Sequence, residues 1–382
     1  MAHLTLSDPP TQRKRAAHWT NDHGTGFTNP WPSAKGPPAL SHVAKFSWQG
    51  MHIQKPEVKD PHAFLPMQKP DFTPPTEGVK ATWLGHACVL AQFATDGGKN
   101  SINVLFDPVF SDRCGPGGYL GPKRYTAVPC GGVEGLPEID VVAISHNHYD
   151  HLDRSTLSEI FAKQKRTPAL VASLNTWRVL DGISPKAKQV YREADWWETI
   201  EGRHQRRGLW AGWAVQGDAG SVYFAGDTGY AAVETETYEI DPAVPVCPAF
   251  KEIGERFGGF DLAFLPIGAY APRWFLSTVH CAPIDTVRLF QDVRAKKAMA
   301  IHWGTWDLSH EQLSEPATML AEARDVVGLT KEQFDVVDLG ASISSVPAAA
   351  AATARVPEAQ AQAQEQEPKQ AEAEAELERA VA

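Results

Sequence analysis

Nine consecutive residues near the middle of the chain carry side chains well suited to hold metal ions. Residues 145–153 read Ser-His-Asn-His-Tyr-Asp-His-Leu-Asp, so His146, His148, Asp150 and His151 follow the pattern H-x-H-x-D-H. Neutral imidazole and carboxylate groups suit zinc. A single histidine at a strand end is usually a hydrogen-bonded surface or core residue, but three clustered imidazoles repel once protonated unless a cation organises them. The pattern therefore predicts a metal site.

The spacing within this loop indicates two metal ions. His146 and His148 project to one side of an extended segment, whereas Asp150 and His151 lie beyond the turn and can face a second ion. Two later apolar runs also end in ligand-type residues, Asp227 and His302. Either residue alone is readily explained as a turn residue or a capped strand end. Because both repeat the order of strand, ligand and glycine, we expect them to converge on the loop.

Buried strands must position these residues. The apolar run 139–144 leads directly into the loop and predicts a strand, and residues 79–84, 88–93 and 102–106 predict a β-meander before it. After the loop, helical and strand patterns alternate as far as residue 301. This alternation predicts an α/β layer sandwich, in which helices cover the sheets.

Composition excludes several classes of protein. The net charge of −10 argues against a general nucleic-acid binder, which needs a basic surface to neutralise phosphates. Five scattered cysteines, none in a C-x-x-C pair, indicate reduced thiols rather than a disulfide framework. The first 15 residues lack the apolar core of a secretory signal, and no apolar run approaches the roughly 20 residues of a membrane-spanning helix. We expect an intracellular protein, cytoplasmic or peripheral on a membrane, and not a secreted one.

The chain divides into three segments. Residues 1–75 are rich in proline and polar residues and predict an extended arm held over the domain by its aromatics, although a flexible leader has the same composition. Residues 76–345 contain the predicted strands and the candidate metal ligands, and predict one folded domain. Residues 346–382 are Ala, Gln and Glu repeats with almost no large apolar side chains, which predicts a disordered, low-complexity tail.

Several motifs resemble the metallo-β-lactamase superfamily and, within it, the fungal and animal relatives of N-acylphosphatidylethanolamine-hydrolysing phospholipase D. The matching segments are residues 82–87, 121–124, 145–153, 224–230, 266–270, 273–275, 280 and 300–305. The H-x-H-x-D-H signature marks only the superfamily. Its combination with the Gly-Ala-Tyr, Arg-Trp-Phe and His-Trp-Gly-Thr segments is more specific.

The resemblance implies an αββα four-layer sandwich that holds two zinc ions per chain. His146 and His148 would hold the first zinc together with one further histidine. Asp150, His151 and His302 would hold the second zinc, and Asp227 would bridge both. The implied reaction is hydrolysis of the phosphodiester of N-acylphosphatidylethanolamine to phosphatidic acid and an N-acylethanolamine, by a water molecule that the two ions acidify.

Other residues receive supporting roles from the same resemblance. His280 would lie near the phosphate and donate a proton or a hydrogen bond, and Tyr149 would line the pocket or pack beside the loop. Trp274 and Phe275 are candidates for an apolar groove for lipid chains, although an ordinary core also explains them. The implied partner is a phospholipid, with peripheral membrane contact. The sequence leaves the oligomeric state open, a homodimer included.

One departure from the family concerns the third histidine of the first zinc site. Only residues 199–208 separate Trp196-Trp197-Glu198 from Leu209-Trp210, which is too short for the strands and loop found there in the family. His204 is the sole candidate ligand, yet its neighbours also suit a solvated basic turn. Three functions stay open: the phospholipid hydrolase, a hydrolase of a soluble ester, lactone or phosphodiester, and a non-catalytic relative with an impaired first site.

Overall fold

Two β-sheets form the framework of the protein in a computed structural model that describes residues 16–22, 26–31, 33–34, 36, 38–198 and 211–345. The strands are β1 (Val79–Gly85), β2 (Cys88–Thr95), β3 (Asn100–Phe106), β4 (Val141–Ile144), β5 (Ala169–Ser173), β6 (Tyr191–Ala194), β7 (Trp213–Gly217), β8 (Gly220–Phe224), β9 (Phe260–Pro266), β10 (Ala295–Ile301), β11 (Phe334–Asp335) and β12 (Ser342–Ser345). The α-helices are α1 (Leu40–His52), α2 (Arg154–Lys163), α3 (Trp177–Leu180), α4 (Pro185–Val190), α5 (Ala249–Phe257), α6 (Arg273–Leu276), α7 (Pro283–Asp292) and α8 (Glu315–Val327).

The first sheet has the order β12-β1-β2-β3-β4-β5-β6. Strands β1 to β3 pair antiparallel, which confirms the predicted meander, and β3 to β6 pair parallel. The second sheet has the order β11-β10-β9-β8-β7, in which β8 to β11 are parallel. All four residues of β4 are buried, as expected for an apolar strand between two parallel neighbours. The loop with the predicted ligands leaves the carboxyl end of this rigid strand.

The two sheets pack face to face. Alternate residues of β3 explain this packing, because Phe106 faces inward and stacks on Phe224 of β8 with ring centroids 4.8 Å apart. Leu105 faces the other way and joins a second core with Leu157 and Phe161 of α2. Helices α7 and α8 cover the outer face of the second sheet through buried residues such as Leu289 and Leu320. The observed layers confirm the predicted αββα architecture.

The N-terminal arm contains a helix that its composition did not predict. Helix α1 occupies residues 40–52, a stretch between Pro38 and Pro56 in which the proline density of the arm is interrupted. Before it, the ring nitrogens of His18 and Trp19 lie 2.6 and 2.8 Å from the carboxylate of Asp195. His18 and Trp19 are therefore held against the end of β6 by these polar contacts, whereas the extended arm 1–75 as a separate segment stays a prediction.

Two further expectations concern the C-terminal tail and membrane-spanning helices. The tail 346–382 lies outside them, so its predicted disorder and the domain boundary at residue 345 stay predictions. Within the described ranges, every helix is too short or too polar to span a bilayer.

Candidate metal centre

The loop after β4 curls so that its ligand-type side chains face one another. The backbone N–H groups of His151 and Leu152 donate to the carbonyl of His148 at 3.1 and 2.8 Å, which closes a tight turn. Asp153 then caps α2 by accepting from the N–H of Ser155 at 3.0 Å. The turn brings the imidazole rings of His146 and His151 to a centroid distance of 4.2 Å. Residues five positions apart in sequence thus belong to one site.

The second sheet supplies Asp227 and His302 from the carboxyl ends of β8 and β10, the two parallel strands on either side of β9. Asp227 follows β8, His302 follows β10, and both side chains are buried. Gly226 permits the approach, because a Cβ atom at this position would lie 2.9 Å from the Cβ of Ser145 and its φ is +62°. Ser145 is the first residue of the 145–153 loop, so at Gly226 the second sheet approaches this loop too closely for a side chain to fit between them. This convergence is the one that the sequence predicted.

Asp150, His151, Asp227 and His302 form a compact set of donors, which we call the Asp150 half. The Nε2 atoms of His151 and His302 lie 3.1 Å apart. Oδ1 of Asp227 is 3.0 Å from the first nitrogen and 2.9 Å from the second. Oδ2 of Asp150 is 3.5 and 3.4 Å from the same two nitrogens. Zinc with bonds of about 2.0–2.1 Å in tetrahedral geometry requires donors about 3.3 Å apart. The Asp150 half therefore fits one such ion.

His146, His148 and Asp227 form a second and looser set, which we call the His146 half. The nitrogen and oxygen donors of these residues lie within 4.8 Å of one another. Nε2 of His146 is 3.5 Å from Oδ2 of Asp227. His148 is exposed, unlike His146. His204, the candidate for a third histidine here, lies outside the described residues.

Asp227 connects the two halves. Its Oδ1 faces the Asp150 half, whereas its Oδ2 faces His146 at 3.5 Å and Nδ1 of His280 at 3.9 Å. Among the described residues neither carboxylate oxygen takes part in a hydrogen bond, although both are fully buried. A buried carboxylate surrounded by imidazole nitrogens needs a compensating positive charge, from a protonated imidazole or from a metal ion. The donor chemistry and this carboxylate both fit a divalent metal ion.

Electrostatics within the cluster favour a bound cation. Burial opposes ionisation of Asp150 and Asp227, but the surrounding imidazoles hold the pKa of both carboxyl groups well below the usual range. Burial also opposes the charge on His302, yet the two carboxylates raise the pKa of this imidazole to about 9. In contrast, burial and the neighbouring His302 lower the pKa of His86 to about 3, and burial lowers that of His280 to about 4. The same carboxylates also raise the pKa of His151, so protonated imidazoles balance the two carboxylates here, and a divalent ion that displaced these protons would take over that role.

Two residues at the centre had no role in the sequence analysis. Asp107 follows β3, is buried, and its Oδ2 lies 2.7 Å from Nδ1 of His151, while its Oδ1 accepts from the N–H of Ser145 at 2.7 Å. His86 lies in the turn between β1 and β2, with Nε2 at 3.0 Å from Oδ2 of Asp150. Each is a titratable residue at the end of a buried strand, the same signal that identified Asp227 and His302.

The three predicted substrate contacts are not part of the donor cluster. Tyr149 is 53% exposed at the outside of the loop. Trp274 and Phe275 belong to α6 and lie against α1, where Phe275 stacks on Phe46 at 4.5 Å and Lys45 lies over the Trp274 ring at 4.1 Å. Their roles in substrate binding stay predictions.

An apolar cavity of about 200 Å³ lies beside Asp227. Its wall combines the N-terminal arm with residues of the second sheet and α5, namely Trp31, Ala214, Ala225, Tyr230, Phe250 and Val279. Trp31 stacks on Trp196 at 4.9 Å, so the arm contributes a rigid aromatic side to the cavity. The chain therefore offers an apolar space next to the donors, in a different place from Trp274 and Phe275.

Comparison with known proteins agrees with this geometry. A family model for a beta-lactamase superfamily domain matches residues 102–303. The chain is 35% identical over 288 residues to N-acyl-phosphatidylethanolamine-hydrolyzing phospholipase D 1 of Caenorhabditis elegans, which covers 69% of this chain and 75% of the relative. It is 30% identical over 268 residues to the mitochondrial N-acyl-phosphatidylethanolamine-hydrolyzing phospholipase D of Saccharomyces cerevisiae, over 63% of this chain and 51% of the relative. A solved structure of a possible metal-dependent hydrolase from Veillonella parvula matches 70% of this chain and 99% of its own with a TM-score of 0.50 and 14% identity, which shows the fold alone.

Proposed function

The chain belongs to the metallo-β-lactamase superfamily as a metallo-hydrolase, and from this premise we propose that it is a zinc-dependent phosphodiesterase of the phospholipase D type. Its substrate is N-acylphosphatidylethanolamine. The observation that carries the hydrolase chemistry is the Asp150 half, in which two imidazole nitrogens lie 3.1 Å apart and each lies 2.9–3.5 Å from two carboxylate oxygens. The substrate class rests on the likeness to the C. elegans relative.

Two metal ions would be held by the two halves of the centre. Asp150, His151 and His302 would hold one ion, His146 and His148 the other, with His204 as third histidine, and Asp227 would serve both. When bound, such ions supply Lewis acidity toward a phosphoryl oxygen and acidify a water molecule. The opposite directions of the two Asp227 oxygens support this sharing.

The protein side chains orient the reaction. In the proposed hydrolysis, the oxygen of water attacks phosphorus, and the bond from phosphorus to the ethanolamine oxygen breaks. The ethanolamine oxygen then takes up a proton from the water, so the products are phosphatidic acid and an N-acylethanolamine. Asp150 and Asp227 orient the reacting groups through the cluster. His280 is partly buried and its pKa is lowered to about 4, so near neutral pH it acts as an uncharged imidazole that donates one hydrogen bond to the phosphate. Tyr149, an exposed residue of the 145–153 loop, would line the entrance to the centre.

The apolar surroundings of the centre support a lipid substrate. The cavity beside Asp227 is lined by aromatic and aliphatic side chains and has a volume of about 200 Å³, enough for part of an acyl chain. Trp274 and Phe275 would extend the apolar surface toward α1. Neither apolar surface would contribute to the binding of a soluble charged ester.

Helix α1 supports a peripheral membrane contact. None of its residues is buried, and Leu40, Val43, Trp48 and Met51 leave large apolar side chains exposed on one side of the helix. Lys45 is on the same helix, and its Nζ lies 4.1 Å from the centre of the Trp274 ring. Exposed apolar side chains with a nearby lysine suit the interface of an anionic bilayer. A vesicle-flotation assay tests this contact, because Trp48→Ser with Met51→Ser should reduce binding without changing metal content.

Substrate discrimination tests the proposed reaction. Zinc-loaded protein is supplied with micellar N-acylphosphatidylethanolamine in ¹⁸O-labelled water, and products are analysed by mass spectrometry. Equal amounts of N-acylethanolamine and phosphatidic acid are expected, with the label in phosphatidic acid. Chromogenic soluble esters and a soluble phosphodiester form the comparison.

Equal turnover of the lipid and the soluble substrates would contradict the phospholipid assignment. Absence of all hydrolysis by protein that contains metal would contradict the enzyme itself. Asp227→Asn serves as the inactive control. Asp218→Asn, at an exposed position on the preceding hairpin, leaves the centre intact and controls for the loss of one negative charge.

A further inference from the structure

His86 occupies a buried position at the edge of the metal centre. It lies in the turn between β1 and β2, and 2% of its surface is exposed. Its Nε2 atom is 3.0 Å from Oδ2 of Asp150. Its ring centroid lies 4.0 Å from that of His302 and 4.9 Å from the Trp306 ring. The imidazole is thus packed between a metal-ligand candidate and an indole, with one nitrogen directed at a carboxylate.

The backbone of His86 is fixed by the segment that carries His302. The N–H of His86 donates to Oγ1 of Thr305 at 2.8 Å, and its carbonyl accepts from the N–H of His302 at 2.8 Å. The same carbonyl accepts from Nε1 of Trp83 at 2.8 Å. His86 has a φ of +49°, a left-handed conformation that a residue with a β-carbon keeps only where its surroundings enforce it. These contacts hold the imidazole in one orientation.

The oxygen that His86 contacts is the one that faces the metal ligands. Oδ2 of Asp150 lies 3.4 Å from Nε2 of His302 and 3.5 Å from Nε2 of His151. With Oδ1 of Asp227, these atoms already provide the four donors of a tetrahedral site. His86 is a fifth group beside these donors: one of its nitrogens lies within 4.8 Å of donor atoms of Asp150, His151 and His302, which is close enough for ligation. Its hydrogen-bond contact, however, is the one of 3.0 Å between Nε2 and Oδ2 of Asp150.

The ring also has one suitable assignment of its proton. Nδ1 of His86 is buried and has no hydrogen-bond partner among the described residues, whereas Nε2 faces a carboxylate oxygen. A neutral imidazole with its hydrogen on Nε2 donates to that oxygen. Hydrogen bonds of this kind orient metal-binding carboxylates and histidines in many metal sites.

We propose that His86 is a positioning residue that donates its Nε2 hydrogen to Oδ2 of Asp150 and so fixes this carboxylate in the Asp150 half. The inference rests on that part of the proposed function which places a metal ion in this half. It is independent of the substrate, because it concerns how a ligand is oriented before any substrate binds.

Cobalt titration of matched variants tests the proposal. His86→Phe keeps a ring of similar shape without a donor, and His86→Ala is a second donor-free variant. His86→Gln places an amide N–H at the same number of bonds from the backbone as Nε2. Co²⁺ affinity of the Asp150 half should fall by about 10–100-fold in the donor-free variants, and His86→Gln should recover most of it. Affinity of the His146 half should change little.

The absorption spectrum of bound Co²⁺ separates positioning from direct ligation. Saturated variants should keep the visible band intensity of the wild type, because the number of ligands does not change. Wild-type affinity in both donor-free variants would overturn the proposal, as would a band that shows loss of a ligand or a failure of His86→Gln to exceed His86→Phe. Thermal unfolding of the metal-free proteins controls for folding. No lipid is present, so a wrong substrate assignment does not alter the result.

Discussion

The two halves of the metal centre share one carboxylate but differ in how the chain supports them. In the Asp150 half, the donors lie 2.9–3.5 Å apart, are supplied by both sheets, and receive further contacts from Asp107 and His86. In the His146 half, His146 is 3.5 Å from Asp227 while His148 is exposed. The difference teaches that the spacing and the burial of the donors set how well each half can hold an ion. We expect tight binding in the first half and weaker binding in the second.

Asp227→Asn should have the largest effect, because it removes the carboxylate that both halves share. We expect both ions to be lost or severely weakened and activity to fall by roughly 10⁴-fold, as for other residues that act as a unit. Elemental analysis and turnover of the phospholipid measure the two effects. Asp218→Asn, an exposed position, should change neither. A variant that keeps both ions would show that Asp227 does not join the halves.

His302→Ala and His148→Ala should separate the halves. His302 belongs to the Asp150 half, so its loss should weaken the tighter ion by more than about 100-fold, beyond what loss of an outer partner costs. His148→Ala should remove only the weaker ion. Competition with a chromogenic chelator gives the two affinities for each variant. The comparison between the halves fails if both substitutions remove the same ion.

Asp107→Asn should produce an intermediate effect on the Asp150 half alone. Asp107 is buried, and its Oδ2 lies 2.7 Å from Nδ1 of His151, so it orients that ring and favours the tautomer that binds through Nε2. The amide replaces one acceptor with a donor, and affinity of this half should fall by about 10–100-fold. Asp112→Asn, an exposed position nearby, is the matched control. Unchanged affinity would mean that the contact has no influence on binding.

His204→Ala should have the smallest effect on total metal content, because it concerns the half that is already weaker. If His204 is the third histidine, the substitution lowers occupancy of the His146 half and leaves the tighter ion in place. Zinc content after dialysis against limited chelator measures this, with exposed His52→Ala as control. Two tight zinc ions in His204→Ala would exclude His204 as a ligand.

The sequence alone predicted those candidate ligands that follow local patterns. The H-x-H-x-D-H loop and the order of strand, ligand and glycine at Asp227 and His302 can be read within a few residues, and the structure brings all of these side chains together. The meander and the alternating strands were predictable for the same reason, since hydrophobic periodicity is local.

Other features depend on contacts between distant segments. His86 is 64 residues from Asp150, and His18 is 177 residues from Asp195. No local sequence pattern can therefore predict either contact. Arg273 belongs to one of the motifs that resemble the family, and the structure shows that it forms a buried ion pair with Asp285 of α7, with an N–O distance of 2.6 Å. The motif alone did not indicate this partner. Helix α1 was not predicted from the sequence. None of its residues is buried and several of its large apolar side chains are exposed, so it is not part of the hydrophobic core.

Stepwise removal of zinc from the wild-type protein tests the central claim most directly. Protein purified without chelator is titrated with a chelator of known affinity while zinc per chain is measured. Two zinc ions unequal in affinity are predicted, and the one that leaves last should be the one absent from His302→Ala. Absence of zinc, or release of both ions in a single step, would contradict a centre built from one well-supported and one weaker half.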